Sequence, residues 1–511
     1  MDKSNHDKKD MRVFVPCLDT YSTCEAGGEL TMPDYYPEIR RVISVSAEAL
    51  PDSKYLSDGT LEVGGTLAFN LLYIGDDGAV SSVPYVTEYT HNISTGKDFA
   101  LSGSDVRTDS AIESVSCRPL APRTVSMKAK IKSRAYCDAG AECELKTASE
   151  DGSPLSQAVR RTLEKCESEI QTVYRRSFST TGNVSGEKSG VGNAKPICCG
   201  GTVLVDSALS QRGAVTVKGA IAASCLVLTA EGVYKTVTAS IPFEERINAD
   251  GVTPDCRAAA HGRVASVTAS ADQESGTMSF DAEYDIDAAV ASIESVAVTD
   301  DIYSTEYTLE TEEKDLDVYS LVCLSNGTVS VTGEGRRKTQ RDENDYVISS
   351  DAKAVFERVD VKGDTAHFSG SCNFKTVIAS GGDAVVEEFS VPLKYECPAE
   401  TAKGNEYVWH AFASPCNTEC RLEDSKLTAS CKLYVFAEAV SRVKMSPIVS
   451  ATVSAKERAK GAGATMHICY PEKGQRIWEI LKGCRANAAE CERINRITRC
   501  DISDGSPLIV K

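Results

Sequence analysis

The sequence has 511 residues, of which 41% are hydrophobic and 25% are charged. This balance is typical of folded globular proteins and excludes a chain that is disordered throughout. At roughly 100–200 residues per domain, the length predicts three or four domains. The formal net charge of −18 argues against nucleic acid and anionic membranes as partners. We interpret the short basic run of Arg336, Arg337, Lys338 and Arg341 as a solvated turn between strands.

The first 30 residues are predicted to be an N-terminal tail. Residues 1–10 are mostly charged or polar and contain no apolar stretch, so they do not resemble a secretory signal. The longest apolar-leaning run, Ala220–Ala230, is shorter than the ~20 residues that a membrane-spanning helix needs. We therefore expect a cytoplasmic protein without a transmembrane segment.

A glycine followed about twenty residues later by a Ser-Val/Ile-Pro sequence occurs three times. The glycine and proline of each copy are Gly65 and Pro84, Gly219 and Pro242, and Gly370 and Pro392. Each copy has two alternating runs joined by a turn rich in Gly and Asp, which predicts a β-hairpin. The turns are Gly75–Gly78, Ala230–Gly232 and Ser380–Asp383. The proline lacks an N–H group, which suits a strand entrance or an edge strand.

A further alternating run follows each hairpin, at residues 125–131, 278–284 and 427–433. Alternation with a period of two predicts strands with one buried and one wet face, as in antiparallel sheets. We therefore predict a mainly β protein with three β-rich repeats, over residues 31–150, 151–312 and 313–445.

Two segments break the strand pattern. Ser153 and Pro154 precede apolar residues at steps of three and four, which predicts a connecting helix at the start of the second repeat. These apolar residues are Leu155, Val159, Leu163, Cys166, Ile170 and Val173. Small residues and glycine over 446–465 predict a linker.

Residues 466–511 carry the most specific pattern. A strand over His467–Tyr470, helices over Arg476–Gly483 and Ala488–Asn495, and a strand over Pro507–Val510 predict a β-α-α-β unit, with Gly483 closing the first helix. This order resembles the LysM family. The matching residues are Gly474, the Ile477-Trp478-Glu479-Ile480 sequence, Asn495, and Ile502 with Gly505 three residues later.

LysM modules bind N-acetylglucosamine polymers such as peptidoglycan and chitin, in a groove between the first and last loops. Gln475 and Arg476 stand where the family has Asp and Ser or Thr, so the helix should lose its side-chain cap and the groove gains a cation. The resemblance therefore implies a surface for a protein partner, with a glycan as the alternative. Its candidate residues are Gly474, Gln475, Arg476, Trp478, Asn495, Ile502 and Gly505.

The three β-repeats resemble SPOCS domains of spore-forming Firmicutes. The resemblance rests on Met32–Ile39, on Arg118–Arg123, and on the hairpins followed by Ser-Val/Ile-Pro. Repeats of this kind ahead of a terminal LysM module resemble the spore coat morphogenesis proteins that dock on stage IV sporulation protein A. The resemblance implies a scaffold in the mother-cell cytoplasm, located at the forespore surface and the spore coat.

The residues that could carry catalysis do not form recognisable patterns. The six histidines have no metal-ligand spacing, and no Gly-x-Ser-x-Gly sequence occurs. Gly182–Ser189 departs from a phosphate-binding loop, and we interpret it as a flexible loop. The acidic pairs Glu244-Glu245 and Glu387-Glu388 should face opposite sides of their strands. We therefore predict no enzyme, no catalytic residue, no cofactor and no metal.

The sequence contains 20 cysteines but no Cys-x-x-Cys pair, so a structural zinc site is not expected. Two interpretations of the cysteines stay open. They are buried as small hydrophobic residues in a reducing cytosol, or they crosslink later in an assembly that becomes oxidised.

Overall fold

The structure is a computed structural model that describes residues 12–57, 59–95, 106–338, 344–380, 383–400, 406–458 and 466–510. The described residues form mainly β-strands in antiparallel sheets, with a few short helices, which confirms the prediction of a mainly β protein.

The first segment of the protein contains six long strands in two three-stranded sheets. The strands are β1 (Arg12–Thr31), β2 (Ile39–Ser57), β3 (Thr60–Gly75), β4 (Val80–Ser94), β5 (Arg107–Ala121) and β6 (Thr124–Glu142). The sheet orders are β1-β6-β5 and β2-β3-β4. Leu67 and Phe69 of one sheet and Met127 and Ile131 of the other are buried in a shared core.

The second segment repeats this arrangement after a short strand and one helical turn. Its elements are β7 (Lys146–Ser149), α1 (Gln157–Arg160), β8 (Leu163–Ser189), β9 (Lys195–Gln211), β10 (Ala214–Leu228), β11 (Tyr234–Asn248), β12 (Arg257–Asp272) and β13 (Thr277–Ser304). The sheet orders are β12-β13-β8 and β11-β10-β9. Phe280 and Tyr284 lie in the core between the two sheets.

The third segment follows strand β14 (Tyr307–Glu313). Its strands are β15 (Leu316–Arg336), β16 (Tyr346–Lys362), β17 (Thr365–Ser380), β18 (Asp383–Pro398), β19 (Glu406–Leu422) and β20 (Lys426–Met445). The sheet orders are β15-β20-β19 and β16-β17-β18. In all three segments, therefore, the first strand pairs with the sixth and the third strand lies between the second and fourth. We call the three segments together the β body.

The hairpins predicted from the glycine and proline landmarks are confirmed. β3 pairs with β4, β10 with β11, and β17 with β18, and all three pairs are antiparallel. The glycines of the first two turns, Gly78 and Gly232, have φ values of 81° and 80°, which glycine adopts without strain. Gly381 and Gly382 of the third turn lie outside the described residues. Each landmark proline lies on an edge strand, one of the two placements that its missing N–H suits.

The landmark glycines lie at irregular points of strand pairing. The pairing register shifts by one residue next to each of these glycines. The shifts lie between β2 and β3 at Gly65, between β9 and β10 at Gly219, and between β16 and β17 at Gly370. A Cβ atom would collide with the Leu204 carbonyl oxygen at Gly219 and with that of Val355 at Gly370. The glycines therefore let two strand backbones approach closely at a β-bulge.

Two predicted boundaries are wrong because the segments form strands. Residues 12–30 do not form the predicted tail, since β1 pairs with β6 over its whole length. The predicted linker contains strand β21 (Ile448–Arg458), which pairs with β14 and with β7. β7 follows the first segment, β14 follows the second, and β21 follows the third. This small sheet therefore joins the strands that follow each of the three segments in the chain.

The predicted connecting helix is also wrong. Only Gln157–Arg160 are helical, capped by the Ser156 side chain, and β8 begins at Leu163. β8 pairs with β13 from Ser189 back to Leu163, so the sheet supplies the hydrogen bonds that a helix would have made internally. The interpretation of Gly182–Ser189 as a loop fails for the same reason, since these residues belong to β8.

The basic run after β15 is not the solvated turn that we predicted. The Arg337 side chain is only 1% exposed, and its Nη2 donates to Asp345 Oδ2 at 2.8 Å. Lys338 donates its backbone N–H to Glu387, which is buried beside its exposed neighbour Glu388. This pair confirms that adjacent carboxylates face opposite sides of the strand. Arg341 lies outside the described residues.

The chain closes with a C-terminal unit, residues 466–510, whose elements are β22 (His467–Cys469), α2 (Ile477–Cys484), α3 (Ala488–Asn495) and β23 (Leu508–Val510). β22 pairs antiparallel with β23. Arg476 precedes α2 without a side-chain cap, as predicted, whereas Asn487 caps α3 by accepting from Glu490 N. Gly483 lies within α2, and Arg485 ends it in the left-handed conformation, so the predicted glycine cap is wrong. Within the described residues, no helix is long and apolar enough to cross a membrane.

Candidate docking site

Five of the predicted surface residues lie together on two loops of the C-terminal unit. Gly474, Gln475 and Arg476 precede α2, whereas Ile502 and Gly505 precede β23, and all five are exposed. Gly474 N donates to Ser503 O at 2.9 Å, and Ser503 N donates to Gln475 O at 2.8 Å. A backbone bridge also joins Arg476 to Ile502. The two loops therefore hold each other in place through their backbones.

Trp478 does not belong to this surface. Its side chain faces the β body, is 6% exposed, and packs on Tyr303 with ring centroids 4.8 Å apart. Its Nε1 donates to Asp301 Oδ2 at 2.7 Å. The prediction of Trp478 as a partner-facing residue is therefore wrong, because this face of α2 is already covered by β13.

Asn495 is likewise a structural residue rather than a surface residue. Its Nδ2 donates to the carbonyl oxygens of Cys491 at 2.8 Å and Ile509 at 2.7 Å. Its Oδ1 accepts from Ile509 N at 2.8 Å. The side chain therefore joins the end of α3 to β23 and satisfies backbone groups on both.

Three further polar contacts fix the C-terminal unit on the second segment. Lys482 Nζ donates to both oxygens of Asp301 at 2.7 Å. Arg499 Nη1 donates to Lys165 O at 2.8 Å and lies 3.5 Å from Glu164 Oε2. Tyr303 Oη donates to Ala486 O at 2.7 Å. The contacts involve β8 and β13, which are adjacent strands of one sheet, so the unit docks on a rigid support.

Asp301 is the electrostatic centre of this contact. Burial raises its pKa, but the hydrogen bonds from Lys482 and Trp478 outweigh that effect and leave the pKa below its ordinary value. The carboxylate is therefore ionised at neutral pH and accepts both donors.

The C-terminal unit exposes four large apolar side chains, of which the sequence analysis singled out only Ile502. Met466, Ile468 and Tyr470 are 58%, 59% and 76% exposed, and Ile502 is 67% exposed. The first three alternate along the chain, so they lie on one side of the extended segment that contains β22. This alternation was visible in the sequence. We call these four side chains the apolar face.

The β body contains a second notable arrangement, a buried group of charges where the three segments meet. Arg175 of β8 donates to Asp138 of β6 through Nε at 2.9 Å and Nη2 at 2.7 Å. Its Nη1 lies 3.5 Å from Glu438 of β20. All three side chains are at most 4% exposed. Each comes from a different segment, so no local pattern in the sequence could have identified the group.

Cations also surround Tyr136 at this junction. The guanidinium carbon atoms of Arg107 and Arg134 lie 4.1 Å and 4.5 Å from its ring centroid, and that of Arg175 lies at 5.5 Å. Arg134 is neutralised by Asp19, to which it donates at 2.9 Å and 2.8 Å. Cation–π contacts and carboxylates together compensate the desolvated charges.

A cavity of about 2290 Å³ adjoins this group and is lined by all three segments. On its wall, Asp109 lies 3.3 Å from His410 and 3.8 Å from Arg263. Burial and nearby arginines hold the pKa of His410 well below its ordinary value, so the imidazole is neutral near neutral pH. Across the described residues, no cluster of three or more His, Cys, Asp and Glu side chains is placed to hold a metal ion.

His91 shows how a histidine can look catalytic without being accessible. Its ring nitrogens lie 2.9 Å from Ser133 Oγ and 3.0 Å from Ser22 Oγ. His91 is 2% exposed and Ser133 is fully buried, and burial lowers the His91 pKa. The arrangement satisfies buried polar groups between two sheets.

No family model matches the chain, and neither a curated protein nor a solved structure matches it.

Proposed function

We propose that this protein is a non-enzymatic interaction scaffold in endospore coat assembly. Its C-terminal unit docks on a coat basement protein of the stage IV sporulation protein A kind, at the forespore surface in the mother-cell cytoplasm. The observation that carries this proposal is the apolar face, four large side chains exposed on a small unit that is anchored to the β body through Trp478. The resemblance to SPOCS repeats followed by a LysM module supplies the partner class.

The physical argument rests on burial. Covering an Ile, Met or Tyr side chain of this kind contributes roughly 1.5–3 kcal/mol each. A few such residues supply most of the binding energy of a typical interface. Tyr470 is the strongest anchor, because it is the most exposed of the four side chains and combines an aromatic ring with a hydroxyl that can bond to a polar partner.

The β body orients this surface. Trp478, Lys482 and Arg499 fix the unit on strands β8 and β13, and the small sheet of β7, β14 and β21 joins the three segments. A scaffold needs such rigidity, because a partner bound through a pre-ordered surface loses less conformational entropy on association.

The test measures binding of the purified full chain to purified stage IV sporulation protein A on a sensor surface. Substituting Ile468, Tyr470 and Ile502 by serine should lower affinity at least a hundredfold while circular dichroism stays unchanged. The matched control is Arg493→Ser, which changes an exposed residue of α3 in the same unit and should bind as the native chain does. Unchanged binding of the triple variant would refute docking through the apolar face.

The alternative function is binding of peptidoglycan or a chitin-like glycan. It is favoured by the gathering of Gly474, Gln475, Arg476, Ile502 and Gly505 on two adjoining loops, where the LysM family holds its sugar. Several backbone groups of these loops are already bonded to each other, which leaves fewer of them for the N-acetyl groups of a glycan. Retention on chitin or peptidoglycan that soluble oligosaccharide competes away, and that Gln475→Ala with Arg476→Ala abolishes, would favour the glycan.

A further inference from the structure

Twelve of the 20 cysteines lie in six pairs whose side chains contact each other. The sulfur atoms are 3.3 Å apart in Cys199–Cys225, 4.0 Å in Cys372–Cys431 and 3.5 Å in Cys469–Cys484. The thiols of the other pairs are hydrogen-bond partners: Cys17–Cys137, Cys323–Cys397 and Cys166–Cys500. All are free thiols in this structure.

Only one of these pairs joins the C-terminal unit to the β body. Cys166 lies on β8, and Cys500 lies between α3 and β23 of the unit. Cys166 is directly opposite Asp301 in the strand register, and Asp301 holds Trp478 and Lys482. The pair is therefore part of the contact that docks the unit.

The residues that precede the two cysteines are in direct contact. Lys165, the residue before Cys166, accepts a 2.8 Å hydrogen bond from the side chain of Arg499, the residue before Cys500. A disulfide requires Cα atoms about 4.4–6.8 Å apart. The contact between Lys165 and Arg499, together with the packing of Cys166 against the apolar cluster of the C-terminal unit, brings the two cysteines close to each other. Cys500 is exposed, so a small oxidant can reach it.

We propose that Cys166 and Cys500 are the site of an intramolecular disulfide that fastens the C-terminal unit to the second segment. The oxidant is a small disulfide such as oxidised glutathione. The Cys500 thiolate attacks one of its sulfurs and releases one glutathione thiolate. The Cys166 thiolate then attacks the Cys500 sulfur of the mixed disulfide and releases the second. The two protein thiols are oxidised together and lose two protons, and one glutathione disulfide is reduced to two thiols.

The chemistry predicts a pH dependence for this step. Burial and the neighbouring Cys500 raise the pKa of Cys166 to about 11, so little of the Cys166 thiol is ionised at pH 7. Because the thiolate is the nucleophile, ring closure should become faster by about tenfold for each pH unit between 7 and 9.

The inference concerns the anchored side of the unit and does not depend on the proposed partner. The test uses the full chain with a specific protease site inserted between residues 459 and 465. After treatment with oxidised glutathione and alkylation of free thiols, the chain is cleaved and run on a denaturing gel without reductant. The C-terminal fragment should stay attached and should be released by dithiothreitol.

Variants decide the assignment. Cys500→Ser and Cys166→Ser should release the fragment without reductant, whereas Cys484→Ser, which removes a pair internal to the unit, should retain it. Tryptic cleavage after Lys165 and Arg499 places each cysteine in its own peptide, and mass spectrometry should find peptide 166–175 joined to the peptide that begins at Cys500. Release from the native chain without reductant, or linkage of Cys500 to another cysteine, would overturn the proposal. Circular dichroism of each variant checks that it is folded.

Discussion

At the scale of single residues, Trp478 joins the C-terminal unit to the β body by two interactions. It packs on Tyr303 and donates to Asp301 at 2.7 Å. Trp478→Phe keeps most of the packing but loses the donor, and a hydrogen bond to a charged group is worth about 1.5–3 kcal/mol. We expect amide hydrogen exchange in α2 to accelerate by one to two orders of magnitude, as measured by mass spectrometry.

Ile502→Ala is the matched control for this measurement. The Ile502 side chain is 67% exposed, so the substitution should change stability by less than about 0.5 kcal/mol and leave exchange in α2 unaltered. Equal exchange in the native chain and in Trp478→Phe would contradict the anchoring role.

Asp301 should make this contact sensitive to acid. Its folded pKa lies below the ordinary value, so its contribution is fully present above the unfolded pKa of about 3.9 and is lost as pH falls through the lower folded pKa. In a Trp409→Phe background, Trp478 is the only tryptophan, and its emission should shift to the red as the unit undocks below about pH 4.

Two variants test the assignment of this transition to Asp301. Asp301→Asn should show weakened docking at neutral pH together with a much smaller change on acidification. Asp504→Asn alters an exposed carboxylate that accepts a hydrogen bond from Ser506 within the C-terminal unit, and it should keep the acid transition. An unchanged transition in Asp301→Asn would assign it to another group.

The candidate site could be predicted only where its signals are local. Gly474, Gln475, Arg476, Ile502 and Gly505 follow from turn positions within one short unit, and the structure brings them together. Trp478 could not be placed correctly, because its partners Asp301 and Tyr303 lie about 175 residues earlier in the chain. An apolar stripe on α2 gives the same sequence pattern whether it faces the unit's own core, the β body or a partner.

At the scale of elements, the landmark glycines explain why the hairpins could be predicted. At Gly219 and Gly370 a methyl group would strike a backbone carbonyl oxygen of the adjacent strand, and neither backbone can move without breaking its ladder. Gly219→Ala and Gly370→Ala should each destabilise the protein by about 1–3 kcal/mol, measured by denaturant unfolding followed by circular dichroism.

Gly200 provides the control for these substitutions. It also lies in a strand of the second segment, but a methyl group there would come no nearer than 4.0 Å to Ser224 Oγ. Gly200→Ala should therefore be neutral or slightly stabilising. A comparable loss at Gly200 would mean that glycine flexibility, rather than close approach, explains all three positions.

The failed helix prediction has a physical cause in β8. Cys166 and Ile170 point to one side of the strand, and Leu163 and Val173 point to the other side. The residues on the two sides pack against different apolar clusters. A strand covered on both faces has apolar residues at odd and even positions, and these can reproduce helical spacing by chance. The pairing with β13, more than a hundred residues later, decides the outcome.

At the scale of the whole molecule, apolar clusters and buried charges hold the three segments together. Ile74, Leu226 and Ile348 come from different segments and share one cluster around the ends of the hairpins. Tyr234 of the second segment accepts from Val80 N of the first at 2.8 Å. We infer that the segments unfold together, because each would expose part of a shared core if it separated.

The triad of Asp138, Arg175 and Glu438 provides the most direct test of this cooperation. Arg175→Met removes the cation between two carboxylates that are at most 4% exposed, and Arg107 stays 3.7 Å from Asp138. Breaking a buried pair in this way costs about 3–5 kcal/mol. Denaturant unfolding should shift by this amount, and hydrogen exchange should accelerate in all three segments.

The loss of stability and the number of segments that lose exchange protection distinguish a shared junction from a local ion pair. Arg358→Ala breaks an exposed pair with Asp360 within β16 and should cost less than about 1 kcal/mol. Asp138→Asn combined with Arg175→Met should cost less than the sum of the single variants, because both remove the same interaction. If Arg175→Met loosened only the second segment, the segments would be independent domains. Because its carboxylate partners belong to the first and third segments, we expect loss of protection in all three.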